Sequence, residues 1–109
     1  MISITLVIAL ALAGAPPSSA PSGQARKAYS ACLQKVIKAK TEEKLSADAF
    51  KAAAKAGCAV EEAAMMKALT DFDVATGSKR ADAEEFARSQ IDEYLFNAGD
   101  TYASYATPN

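Results

Sequence analysis

Residues 24–58 read QARKAYSACLQKVIKAKTEEKLSADAFKAAAKAGC and contain both cysteines of the chain, Cys32 and Cys58. In the first half the apolar positions Tyr29, Cys32, Leu33, Val36 and Ile37 recur at the spacing of a single helical stripe. Lys27, Lys35 and Lys38 fall on the opposite side, so a helix over about 24–40 is expected. Ser46 is a good N-cap, and Asp48 places an anion in the first turn, where the helix dipole favours it. Leu45 and Phe50 stand at staple positions around that cap. Beyond it Phe50, Ala54, Cys58, Met65, Leu69 and Phe72 hold one face. That continuity predicts one long helix over 46–76, with a break at Gly57 as the alternative.

A short loop between two helices makes them antiparallel. Cys32 stands about nine residues before that loop and Cys58 about twelve after it, so their heights differ by roughly 4–5 Å at a rise of 1.5 Å per residue. Both lie on apolar stripes, and a Cα separation of about 5.5–6 Å suits a disulfide. The chain holds no other cysteine, so an intramolecular bridge has one pairing. A third helix over 79–104 follows Ser78 as cap, with Ala83, Ala87, Ile91, Tyr94, Ala98, Tyr102 and Tyr105 on its stripe. Gly99 weakens its last turns. The expected fold is an all-α, antiparallel three-helix bundle, with one disulfide joining helices 1 and 2.

Ahead of this domain, Ile2 to Ala13 read ISITLVIALALA, twelve residues without a charge. That is the length of a signal-peptide core; a membrane-spanning helix needs about 20 apolar residues. Cleavage is expected after Ala13, or alternatively after Ser22. Residues 14–23 form a Pro/Ser-rich linker, residues 24–106 the helical domain and 107–109 a tail. Export fits a disulfide, which persists in oxidising compartments. A domain of fewer than 100 residues gains much from such a staple. The chain-entropy model gives it roughly 3.5 kcal/mol. The expected address is the periplasm or the secreted space.

The charged and reactive residues exclude more than they propose. With 12 basic and 13 acidic residues, nothing marks a nucleic-acid binder. There is no histidine, so a Ser/His/Asp or Cys/His device has no base. Neither a cofactor nor a metal is expected, because histidine is absent and the cysteines are committed to each other. Met65 and Met66 are adjacent and point about 100° apart on a helix, which makes Met65 core filling and not half of a copper site. Of the acidic pairs Glu42-Glu43, Glu61-Glu62 and Glu84-Glu85, Glu61 stands out. It follows Cys58 by one turn and should lie level with Tyr29, as a buried acid or a rim carboxylate bonded to Tyr29 or paired with Arg26. Helix 1 carries Arg26, Lys27, Lys35, Lys38 and Lys40 and no acid, while residues 41–77 and 78–109 each carry a net −3. Internal complementarity between helix 1 and its neighbours is the expectation. Phe86 and Phe96 fall off the third stripe and mark a surface for a partner.

The leader, Ala28-Tyr29-x-x-Cys32, Ala49-Phe50 and Cys58 followed by Glu61-Glu62 together resemble the small exported two-cysteine helical proteins of Gram-negative bacteria. The resemblance implies a periplasmic address and carries no activity with it. Periplasmic acid-stress chaperones are similar in architecture, with a longer Cys–Cys separation and less regular helices. The expected function is therefore non-enzymatic, the binding of a protein partner or of a second copy. A stress- or acid-responsive holdase is one alternative. An envelope protein held by an uncut leader, with basic helix 1 on anionic lipid, is the other.

Overall fold

The computed structural model describes residues 16–106. It is all-helical over that span: α1 (Ala20–Lys40), a single 3-10 turn (Thr41–Glu43), α2 (Ala47–Gly57), α3 (Ala59–Ala75) and α4 (Arg80–Ala106). The leader, cleavage after Ala13 and the tail at 107–109 lie outside the described residues. No helix among the described residues is long and apolar enough to cross a membrane.

Four helices replace the expected three. The long second helix is divided at Cys58, one residue past the anticipated break, where φ is −117° and ψ 23°. The hydrogen-bond ladder remains intact on both sides, Cys58 N donating to Ala54 O at 2.9 Å and Glu62 N to Cys58 O at 2.9 Å. The cause is tertiary. α2 crowds α1 so closely at Gly57 that a Cβ there would lie 3.3 Å from Val36 Cγ2. Cys58 is meanwhile bonded to Cys32 with Cα atoms 5.9 Å apart. Glycine's weak helix preference lets the chain yield at that point.

α1 begins at Ala20, so the supposed linker donates its last residues to the first helical turn. Pro21 is tolerated there because a first-turn residue has no intrahelical N–H bond to lose. Ser22, one of the two proposed cleavage positions, is buried, and its hydroxyl donates to Ala68 O of α3 at 3.3 Å. Just past the C-terminus of α3, Gly77 adopts φ 112°. Ser78 N donates back to Asp73 O at 2.9 Å, which makes Ser78 part of the α3 cap. Lys79, whose carbonyl accepts from Ala83 N at 2.9 Å, therefore takes the cap position of α4 in place of Ser78. The expected cap at Ser46 forms, its hydroxyl accepting from Ala49 N at 3.1 Å.

The core is a continuous cluster. Tyr29, Leu33 and Ile37 come from α1, Phe50 and Ala54 from α2, and Met65 and Leu69 from α3. Ala87, Ile91, Leu95, Ala98 and Tyr102 of α4 close it. α3 packs along both α1 and α4, while α2 covers one end. The α4 stripe runs through Leu95 and not through Tyr94, which is half-buried and stacks on Tyr29 with ring centroids 6.0 Å apart. Tyr105 lies outside the core at 67% exposure. Tyr102 fastens the α1–α2 connection to α4: its hydroxyl donates to Lys40 O at 2.7 Å and accepts from Leu45 N at 2.9 Å. Its ring stacks on Phe50 at 4.4 Å.

Candidate functional site

The disulfide Cys32–Cys58 stands where α1 meets the α2–α3 junction. Cys58 is buried and caps α3, while Cys32 is half-buried. Cys32 Sγ approaches the Gly57 carbonyl oxygen at 3.5 Å. A disulfide sulfur carries no proton, so this is a contact and not a hydrogen bond. Glu61, half-buried in the first turn of α3, brings a carboxylate oxygen to the same place. The two sulfurs and that oxygen all lie within 4.8 Å of one another. A shallow groove opens beside them, lined by Ala28, Cys32, Lys35, Val36, Gly57 and Glu61 among others.

The expected Glu61, Tyr29 and Arg26 group does not form. Arg26 donates to Gln90 Oε1 of α4 at 2.8 Å. Tyr29 is 1% exposed, and its hydroxyl has no hydrogen-bond partner among the described residues. Burial, then the negative charge of Glu62, then that of Asp92, push its pKa well above the usual tyrosine value. The acid facing Tyr29 is therefore Glu62. Glu62 follows Cys58 by one regular turn, its backbone N–H donating to Cys58 O at 2.9 Å. A signal for Glu62 was present, since it follows Cys58 by four residues and precedes Met65 by three, both core positions.

The basic side of α1 makes no ion pair with another helix among the described residues, contrary to the expected complementarity. Its one ion pair is local, Lys40 Nζ to Glu43 at 3.2 Å. The others are surface contacts: Lys67 with Asp71, and Arg80 with Asp71 at 3.9 Å. The Lys67 ammonium donates to the Asp71 carboxylate and, helped by the charges of Lys67 and Arg80, holds its pKa below the usual value. Met65 is buried in the core, and Met66 packs against it from the side.

Phe96 is 69% exposed and Phe86 48%. At 100° per residue they stand about 80° apart around α4 and roughly 15 Å apart along it, so they form two spots and not one patch. Phe96 points almost directly away from the core stripe. Asp82, Glu85, Asp92, Glu93 and Asp100 share its outward sector, and all are exposed. No lysine or arginine falls in that sector; Arg88 and Arg80 turn toward α3, where both line a depression with Thr70 and Asp71. The sequence reading singled out the aromatics and passed over the acids, although their spacing along α4 was available in the sequence. The chain matches no family model, no curated protein and no solved structure.

Proposed function

We propose that this chain is a non-enzymatic helical domain that works outside the cytoplasm and binds a basic, amphipathic segment of another protein through the outward face of α4. The observation that carries this reading is the composition of that face: an exposed Phe96 flanked within about one turn by Asp92, Glu93 and Asp100, and a second exposed aromatic, Phe86, flanked by Asp82 and Glu85. Neither phenylalanine belongs to the buried core. An exposed aromatic amid like charges fits a partner that supplies cations and an apolar anchor. Face-to-face pairing of two copies would set the same carboxylates against each other, which argues against a symmetric dimer through α4. The disulfide and the apolar leader support the extracytoplasmic address.

The experiment is an NMR titration of the oxidised protein with a synthetic Lys/Leu amphipathic helix, alongside a Lys/Ser peptide of equal charge. Shifts should concentrate on residues 82–100 for the first peptide and be much weaker for the second. Phe96→Ser should reduce the affinity about tenfold, the scale of a modest interface anchor. Equal binding of both peptides, or shifts spread over the whole surface, would count against a built site and leave only charge attraction. A stress-responsive holdase gains no support from the ion pairs, because none of them joins α1 to the rest of the bundle.

A further inference from the structure

The convergence at the α1–α3 corner has a second chemical use. We infer that, when the disulfide is reduced, Cys32, Cys58 and Glu61 become a three-ligand site for a thiophilic divalent cation of the zinc and cadmium class, with water as fourth ligand. Two thiolates and a carboxylate on one ion suit zinc in a tetrahedral site. The three donor atoms already lie within 4.8 Å of one another. Zn–S bonds of about 2.3 Å at a tetrahedral angle need sulfurs roughly 3.8 Å apart. Rotating the two cysteine side chains supplies that separation with the Cα atoms left 5.9 Å apart. Glu61 follows Cys58 by three residues, so both project from the same face of α3's first turn.

Two thiolates and one carboxylate around a divalent ion leave a single negative charge, which Lys35 in the adjoining groove offsets; Lys40 lines the same groove but is paired with Glu43. The half-buried Cys32 and the open groove give the ion a way in. In the reduction, a dithiol reductant passes two electrons and two protons to the Cys32–Cys58 bond, and its own two sulfurs become joined. The cation then displaces the two thiol protons into water and takes up both sulfurs. Disulfide and metal site thus exclude each other, and the redox state of one bond decides whether the chain binds metal.

The test uses the full chain reduced by a phosphine, which takes oxygen from water as it opens the disulfide, and cadmium as the probe. Sulfur-to-cadmium charge-transfer absorption should rise to saturation at one ion per chain, and the oxidised protein should show none. Glu61→Gln should weaken cadmium binding by about tenfold or more, while Glu62→Gln, whose parent carboxylate faces Tyr29, should leave it unchanged. Bound cadmium should also slow reoxidation of the thiols by air. Circular dichroism runs in parallel. If the reduced chain stays helical and gives no band, the inference is overturned. If it loses helix, cadmium must restore it, and failure to do so overturns it equally. One cadmium per two chains, or equal affinities for the Glu61→Gln and Glu62→Gln proteins, would also overturn it. None of these readouts involves the outward face of α4.

Discussion

Among the described residues, two buried hydroxyls, those of Tyr29 and Thr70, have no hydrogen-bond partner, and Tyr29 is the larger case. Its ring is a central core element, yet its hydroxyl is buried with no hydrogen bond from the described residues. Desolvating a hydroxyl without compensation costs about 1–3 kcal/mol. Tyr29→Phe keeps the ring and the stacking with Tyr94 and removes the stranded oxygen. It should therefore be neutral or stabilising by about 1 kcal/mol at pH 7, measured by urea unfolding. The pH dependence has a definite sign. Burial first, then Glu62 and Asp92, raise the folded-state pKa, so the fold favours the protonated phenol. In the unfolded chain the phenol ionises at about pH 10. The contribution is complete below that value and is lost as pH rises from it toward the raised folded-state pKa. The wild type should lose stability above pH 10 more steeply than Tyr29→Phe. Identical alkaline limbs would mean that the phenol is solvated and not buried, and a loss above about 1 kcal/mol at pH 7 would mean that the hydroxyl is hydrogen-bonded after all.

Among the elements, the glycines separate intrinsic propensity from packing. A Cβ on Gly99, inside α4, would meet nothing within 4 Å. Gly99→Ala should thus raise stability by about 0.5–1 kcal/mol, the ordinary gain in a helix interior. At Gly57 the same change brings a Cβ to 3.3 Å from Val36 Cγ2, and the contact should cancel the gain. In a Val36→Ala background the gain should reappear, a coupling that a double-mutant cycle reads directly. Full stabilisation by Gly57→Ala in the native background would show that crowding by α1 does not hold the break open. The same contrast explains what was legible beforehand. The stripe of Tyr29, Leu33 and Ile37, the Ser46 cap and the reach between Cys32 and Cys58 are local or simple geometric properties. The division at Cys58 is not local: it depends on Val36, a residue of another helix, and on a bond formed across the bundle. Glu61 and Glu62 follow Cys58 by three and four residues, so helical spacing alone puts both within one turn of it. What separates them is the position of α1, which sets the sulfurs beside Glu61 and Tyr29 beside Glu62. The sequence reading of α4 found its aromatics because apolar residues off a stripe are conspicuous. It missed the carboxylates around Phe96 because acids on an outward face look like ordinary solvation until the whole sector is seen to lack a cation.

At the scale of the whole molecule, two features could control opening, the covalent bond and the charge distribution, and they are not equal. The exposed ion pairs are of a kind worth little. Asp71, with its lowered pKa, contributes stability above the usual carboxylate range that disappears as pH falls through its folded-state value. It joins α4 to α3 only through a 3.9 Å contact with Arg80. Acid therefore breaks no ion pair between α1 and another helix among the described residues. The disulfide closes a 26-residue separation between α1 and the start of α3. The chain-entropy model gives that bond about 3.5 kcal/mol, a large share of the ~5–15 kcal/mol typical of a domain. Replacing both cysteines, Cys32→Ala with Cys58→Ala, should lower the unfolding free energy by about 3 kcal/mol. It should leave the helical circular dichroism at 25 °C in place, because Tyr29, Leu33, Ile37, Met65, Leu69 and the α4 stripe still pack without the bond. Paired urea and thermal melts check both halves. A cross-link that merely decorates a self-sufficient bundle would give a change below about 1 kcal/mol. A bundle that cannot close without it would give an unfolded double variant. Either result would also bear on metal binding, which requires helices that still hold Cys32, Cys58 and Glu61 together once the sulfurs are apart.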